Sequence, residues 1–263
     1  YDLPSEEKSG LPDEYHLLQS QLCMATFLPS ISRDKVFVAS DLNLYYDSNH
    51  PQWYKRPDWF AVVGVDRLYE KRSLRLSYVI WQEKVAPSIV IEFLSPSTRN
   101  EDLGRSKPKG IQPTKWEVYE KILRIPYYIV FDGITNEIIP FHLTKNGYRL
   151  LEVNSSKLWL PTLNIGLGLW LGEYQGCQRQ WLRWYDVEGN WIPTETEKEG
   201  IARALAQRER GAKKLAQQER DRERMAKKLA QQERDRERGA KELAQQQVQQ
   251  LLERLRQAGI DPD

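Results

Sequence analysis

Three charged residues stand out by type and position, and together they could act on a phosphodiester. Glu92 interrupts Ser88-Ile89-Val90-Ile91-Glu92-Phe93-Leu94, the most apolar run of the chain. An ionised carboxylate is costly there unless something compensates it. Asp58 follows Pro57 and precedes Trp59-Phe60-Ala61-Val62-Val63-Gly64-Val65, so it sits at a strand start. Lys115 opens residues 115–123, which read as a helix ending before Pro126. Two carboxylates on neighbouring strands can hold Mg²⁺, a hard cation that takes oxygen ligands and keeps several waters. Such an ion polarises a phosphodiester and acidifies a bound water, and an ammonium nearby orients that water or meets the developing charge. Neither histidine nor cysteine is needed. Plainer readings stand beside this one. A Pro-Asp pair is commonly a turn, a buried glutamate can pair with a buried arginine, and a lysine at a helix start is usually a surface group.

The surrounding pattern must bring these residues together. Leu17, Leu18, Leu22, Met24 and Phe27 mark a first helix that starts at Pro12-Asp13-Glu14 and ends at Pro29. Strands are expected at 35–38, 42–46, 59–65, 74–81 and 88–94. A loop rich in Gly, Pro and charge covers 95–114, and the helix at 115–123 leads into Tyr127-Tyr128-Ile129-Val130-Phe131. Strand, helix and strand in this order predict a right-handed parallel crossover. Strands at 137–144 and 148–153 flank Lys145-Asn146-Gly147, a hairpin signal. Residues 158–192 carry many Trp and Gly and read as strands closing the domain. Trp170, Trp181, Trp184 and Trp191 fit core and edge packing better than base stacking.

Charge is unevenly laid out. The formal net charge of the 263 residues is +2. Residues 195–263 hold 17 Lys+Arg and 14 Asp+Glu, leaving 22 basic and 23 acidic residues in the first 194. The folded part is therefore no globally basic nucleic-acid binder, and DNA contact there needs a local patch. Arg105, Lys107 and Lys109 are candidates for phosphate contact. Cys23 and Cys177 have no ligand spacing and read as buried thiols in a reducing, cytoplasmic setting. His16, His50 and His142 are scattered, which disfavours zinc or a histidine triad. No apolar run approaches a membrane span and no secretory leader is visible.

The tail is different material. Gly211-Ala-Lys-Lys-Leu-Ala-Gln-Gln-Glu-Arg-Asp-Arg-Glu-Arg recurs almost unchanged from Met225 and partly from Gly239, a period of two heptads. Leu215, Leu229 and Leu243 keep register with Ala212, Ala226 and Ala240, while Glu219, Arg222, Glu233 and Arg236 occupy the same stripe between them. An ordinary coiled-coil seam is apolar throughout. Pairs such as Glu209 with Lys213, Glu223 with Lys227 and Glu237 with Lys241 would instead support an isolated charged helix. Homo-oligomerisation through the tail is the second use of such a helix.

The segments Lys55-Arg56-Pro57-Asp58-Trp59, Ile91-Glu92-Phe93-Leu94-Ser95-Pro96-Ser97-Thr98, Lys115-Trp116-Glu117-Val118-Tyr119 and Ile125-Pro126-Tyr127-Tyr128-Ile129-Val130-Phe131-Asp132 resemble the Uma family of predicted bacterial restriction endonucleases, within the PD-(D/E)XK nuclease superfamily. The resemblance covers most of residues 10–190. It implies an α/β fold with a restriction-endonuclease-like mixed β-sheet core flanked by helices, plus a long C-terminal charged helix. The division expected is an arm at 1–11, a nuclease-like domain at 12–194 and the tail at 195–263. By family pattern Asp58 is the acid of the PD pair and Glu92 the second acid. The common superfamily lysine would fall at Leu94, and the family's alternative position on the following helix matches Lys115. Asp58, Glu92 and the Phe93 carbonyl would bind Mg²⁺ or Mn²⁺. Glu14 matches the acid that the first helix often adds, and Asp102 is another acid near the site. The implied activity is DNA endonuclease. RNA or repair cleavage on the same scaffold and a non-catalytic interaction module, with the tail as spacer or assembly helix, are the rivals.

Overall fold

The computed structural model describes residues 13–108 and 110–259, so the arm at 1–11 and Lys109 lie outside the described residues. The chain divides into two compact units, Tyr1–Thr196 and Glu197–Asp263.

The first unit is built on a six-stranded mixed sheet. Its strands are β1 (Val36–Ala39), β4 (Trp59–Val63), β6 (Ile89–Phe93), β7 (Tyr127–Asp132), β8 (Glu137–Thr144) and β9 (Gly147–Leu150), in that spatial order. Only the central pair β6–β7 is parallel, and every other neighbour is antiparallel. The near-continuous apolar runs of β6 and β7 have a simple cause, since every residue of both strands is buried and both faces of the sheet are covered.

Period-2 alternation sorts the strand residues onto two cores. Trp59, Ala61, Ile89, Ile91 and Phe93 pack on one face with helix α1 (Glu14–Thr26) and a second sheet. That sheet is β10 (Lys157–Leu160), β11 (Ile165–Tyr174) and β12 (Cys177–Tyr185). Phe60, Val62, Val90, Tyr128 and Val130 pack on the other face against Val118 and Tyr119. Glu92 shares parity with Val90 and Asp58 with Phe60. The antiparallel register pairs Trp59 with Ile91, so the next step along both strands sets Asp58 beside Glu92.

The helix between β6 and β7 begins as α4 (Lys115–Glu117) and continues as a π-helical turn, Val118–Ile122. Its start is fixed by a capping box: the Thr114 hydroxyl accepts from the Glu117 amide, and the Glu117 carboxylate accepts from the Thr114 amide. The wide turn closes with Leu123 N donating to Val118 O at 2.8 Å. It leaves Ile122 exposed and Leu123 buried.

Several expectations are corrected. The strand at 74–81 is only β5 (Tyr78–Val79), followed at once by the short helix α2 (Ile80–Glu83). The turn lets the Arg75 guanidinium grip the Glu83 carboxylate at 2.7 and 3.0 Å while also donating to the carbonyls of Asp66 and Arg67. β5 joins a small sheet with β2 (Leu44–Tyr45) and β3 (Tyr54–Lys55). The β8–β9 hairpin turns through Lys145-Asn146, with Gly147 paired to Thr144 as the first residue of β9. Cys23 is buried, but Cys177 is exposed because it begins β12 directly after the turn at Gln175-Gly176.

The second unit is helical. Helix α5 (Glu195–Gln257) runs 63 residues with no buried side chain. The ion pairs drawn from the sequence are not the ones formed. Arg203–Glu199 and Arg238–Glu242 make the i,i+4 contacts, and Gln217–Asp221 and Gln231–Asp235 repeat one hydrogen bond across the two-heptad period. Exposed arginines reach several acids at similar cost, so pair choice among them is weakly determined.

The turn after α3 (Arg99–Asp102) depends on Gly104, whose φ is +69°. A Cβ there would come within 2.6 Å of the Trp116 ring, which packs edge-on against Tyr128, Phe141 and Tyr148. Gly104→Ala should cost about 2 kcal/mol through strain and displaced packing. Chemical denaturation checks this, and an unchanged midpoint would contradict it.

Candidate active site

Asp58, Glu92 and Lys115 come together. The Glu92 carboxylate is fully buried. Its Oε1 accepts from the Tyr119 hydroxyl at 2.9 Å and its Oε2 from Lys115 Nζ at 3.1 Å. The Asp58 amide lies 3.4 Å from the same Oε2, and Asp58 Oδ2 accepts from the Phe93 amide at 2.6 Å. Lys115 Nζ also donates to Asp102 Oδ1 at 2.9 Å. One ammonium thus bridges two buried carboxylates, with a third beside them.

Each side chain has a local reason for its place. Lys115 is the first residue of its capped helix and Tyr119 lies one turn on, so both reach down to Glu92. Asp102 ends α3, and its carbonyl accepts from the buried Tyr128 hydroxyl at 2.8 Å. Asp58 and Glu92 share a sheet face through strand parity and register.

The electrostatics are strained in one direction. Burial pushes the Glu92 carboxyl well above the usual range; Lys115 pulls it down, while Asp58 and Asp102 push it higher. Asp58 is raised mainly by burial, against the Lys115 charge and the Phe93 amide. Burial disfavours the Lys115 ammonium, yet Glu92, Asp102 and Asp58 outweigh it and hold Lys115 well above the usual lysine range. Lys115 therefore stays charged. Three carboxyl groups share one ammonium, and burial together with their mutual repulsion favours the protonated forms of Glu92 and Asp58.

The first helix supplies His16 rather than Glu14. Glu14 is exposed and makes no hydrogen bond or ion pair with Asp58, Glu92 or Lys115. His16 Nε2 lies 3.0 Å from the Phe93 carbonyl oxygen, and its Nδ1 lies 2.7 Å from Asp13 Oδ1. Both partners are acceptors, so the imidazolium satisfies both. Burial lowers the His16 pKa, but the Asp13 hydrogen bond and the Asp58 charge outweigh it and raise the value. His16 escaped the sequence reading because a lone histidine carries no spacing signal. Its signal was positional: Asp13 is the N-cap, accepting from the His16 amide at 2.8 Å, which fixes the ring on that turn. Tyr119 was also missed, although it stands four residues after Lys115. Half-buried Lys55 adds another cation nearby, its pKa lowered by burial and by Lys115 against the pull of Glu101. Arg105 and Lys107 are exposed on the loop beyond α3.

The donor set suits a hard divalent cation. Asp58, Glu92 and the Phe93 carbonyl present oxygen only, and a divalent cation would favour the ionised carboxylates that burial disfavours. Among the described residues no three His, Cys, Asp or Glu side chains are arranged to hold a metal by themselves. An ion here would rest on two carboxylates, a carbonyl and water. A cavity of about 610 Å³ lined by Tyr127, His142, Trp159 and Tyr185 touches none of these groups. The density of buried titratable groups, rather than cavity size, marks the site.

Fold and cluster define a mixed α/β protein with a buried site of carboxylates around one ammonium. The family described as "Uma2: Putative restriction endonuclease" matches residues 6–172, and the chain belongs to this family. The chain is also similar to a crystal structure described as a "putative nuclease belonging to DUF820 from Anabaena variabilis ATCC 29413". Identity there is 12%, the TM-score is 0.37, and the match covers 58% of this chain and 75% of that one. No curated protein matches the chain. Among the described residues no helix is long and apolar enough to cross a membrane.

A stability prediction follows from the crowded acids. Between the ordinary carboxylate range and the raised folded values, the folded chain holds more protons than the unfolded one. Stability therefore falls as pH rises through that window. Glu92→Gln removes one buried titratable carboxyl; its amide oxygen can serve Lys115 and the Asp58 amide while its NH2 donates to the Tyr119 hydroxyl, and Lys115 keeps Asp102. Its melting midpoint at neutral pH should rise, by roughly 2–4 °C per kcal/mol relieved, and the pH slope should flatten. Calorimetry across pH checks both, and a midpoint lowered by a similar amount would count against the charge argument.

Proposed function

We propose that this chain is a Mg²⁺- or Mn²⁺-dependent endonuclease that hydrolyses DNA phosphodiester bonds. The observation that carries the reading is the Lys115 ammonium held between Glu92 and Asp102, with Asp58 alongside, at the end of a central strand. Membership of a family described as restriction endonucleases supports it. The catalytic domain would be residues 12–194, followed by a helical tail at 195–263, in a cytoplasmic protein.

Asp58, Glu92 and the Phe93 carbonyl would hold the ion. A bound divalent cation supplies Lewis-acid polarisation of the phosphoryl group and a more acidic bound water. The chain's own groups do the rest. Lys115, held in its charged form, cannot be a general base; it orients the attacking water and meets negative charge on the phosphoryl oxygens. Tyr119 fixes the Glu92 carboxylate by its hydrogen bond to Oε1. His16, bonded to the Phe93 carbonyl, sets the position of that ligand atom. Exposed Arg105 and Lys107 can meet backbone phosphates flanking the cleaved bond.

A second reading has its own support. The polar groups already satisfy one another: Glu92 has three donors, Asp58 has the Phe93 amide, and the Phe93 carbonyl has His16. A complete network fits a non-catalytic nuclease-fold module as well as a preorganised site.

The two readings part on metal and turnover. Purified full-length protein with Mg²⁺ or Mn²⁺ should nick supercoiled plasmid, and Glu92→Gln, Asp58→Asn and Lys115→Met should each lower the rate by roughly 10²–10³-fold. Calorimetric Mn²⁺ binding should disappear in the first two. RNA cleavage with intact DNA would reassign the substrate. Failure of both Mn²⁺ binding and cleavage in a folded protein would leave the module.

A further inference from the structure

The tail carries an exposed stripe with a regular charge order. Leu215, Leu229 and Leu243 are 60%, 61% and 59% exposed on α5. Ala212, Ala226 and Ala240 each stand three residues before one of them, the a-to-d step of a heptad. Between these apolar pairs the same stripe holds Glu219 with Arg222, then Glu233 with Arg236. From Ala212 to Leu243 the stripe therefore reads Ala, Leu, Glu, Arg, twice over, and closes on Ala, Leu. Ala216, Ala230 and Ala244 at the adjoining e positions widen it.

Consider what a second copy of this stripe would meet. In a parallel in-register pair, a faces a and d faces d, so Glu219 meets Glu219 and Arg222 meets Arg222. Like charges would oppose each other at every polar layer. A parallel pair staggered by one heptad lays each charge against Ala or Leu and leaves it uncompensated. An antiparallel pair faces a against d. Centred between Ala226 and Leu229, it sets Glu219 against Arg236 of the second copy and Arg222 against its Glu233. The same register sets Ala226 against Leu229, Leu215 against Ala240 and Ala212 against Leu243. Every charge then has an opposite partner and every leucine a small one.

We propose that the tail binds a second copy of this chain as an antiparallel helical pair in this register. The order of charges along the stripe selects both the partner and its direction. Neither the i,i+4 contacts along the helix nor solubility calls for that order, since charges off the stripe would serve both. The paired segment 212–243 spans roughly 47 Å at 1.5 Å per residue.

The test uses full-length protein and sedimentation equilibrium, with circular dichroism to confirm helix content. The parent should be a concentration-dependent dimer. Glu219→Arg with Arg222→Glu sets Arg against Arg and Glu against Glu in the antiparallel register, yet leaves a parallel pair no worse than before. This double variant should raise the dimer dissociation constant about tenfold or more. Adding Glu233→Arg with Arg236→Glu restores opposite pairing and should restore the dimer. A parent that is monomeric at all concentrations overturns the proposal. So does a dimer indifferent to the double variant, or one that the fourfold variant fails to recover.

Discussion

The site is organised around one buried ammonium. Lys115 is held by Glu92 at 3.1 Å and Asp102 at 2.9 Å, and three structural elements converge to make those contacts. β6 brings the first acid, α3 the second and the capped helix the amine. Removing the lysine would leave buried carboxylates facing one another with no counter-charge, a far larger penalty than losing a surface ion pair. This one interaction therefore couples the sheet, the loop and the crossover helix.

Sequence exposed the parts of this arrangement that follow from simple periodicities. Glu92 stood out because five apolar residues share its strand run, and the structure buries it fully. The parallel crossover from β6 to β7 followed from strand–helix–strand order. Asp58 and Lys115 gained meaning only in combination, since neither a Pro-Asp pair nor a helix-start lysine is informative alone. What escaped notice depends on direction rather than type. Glu14 and His16 lie on the same helical turn, and only three-dimensional packing decides which one faces Phe93. The strand expected at 74–81 gave way to a turn because Glu83, eight residues on, holds Arg75, which also grips the carbonyls of Asp66 and Arg67. Local preference could not anticipate that bond.

The two units differ in what specifies them. In the first, burial on both sheet faces fixes register, because a slip of one residue would send Glu92 to the opposite core. The tail has no core of its own, and its exposed arginines choose among equivalent acids. Its identity lies in the spacing of charge along the helix rather than in any single contact.

The wide turn at Val118–Ile122 has a consequence for how this fold can change. A π-helical turn holds one residue more than an α-helix needs, and such turns persist where function keeps them. Here the surplus residue lets Tyr119 stay under Glu92 while Leu123 and Ile125 still reach the core. A lineage that lost one residue from this stretch would gain a more regular helix, but it could keep either the tyrosine or the downstream packing in place, not both. The irregularity acts as a spacer between the half of this short helix that reaches Glu92 and the half that packs in the core, and a shorter relative would need a compensating shift of its sheet to retain the same cluster.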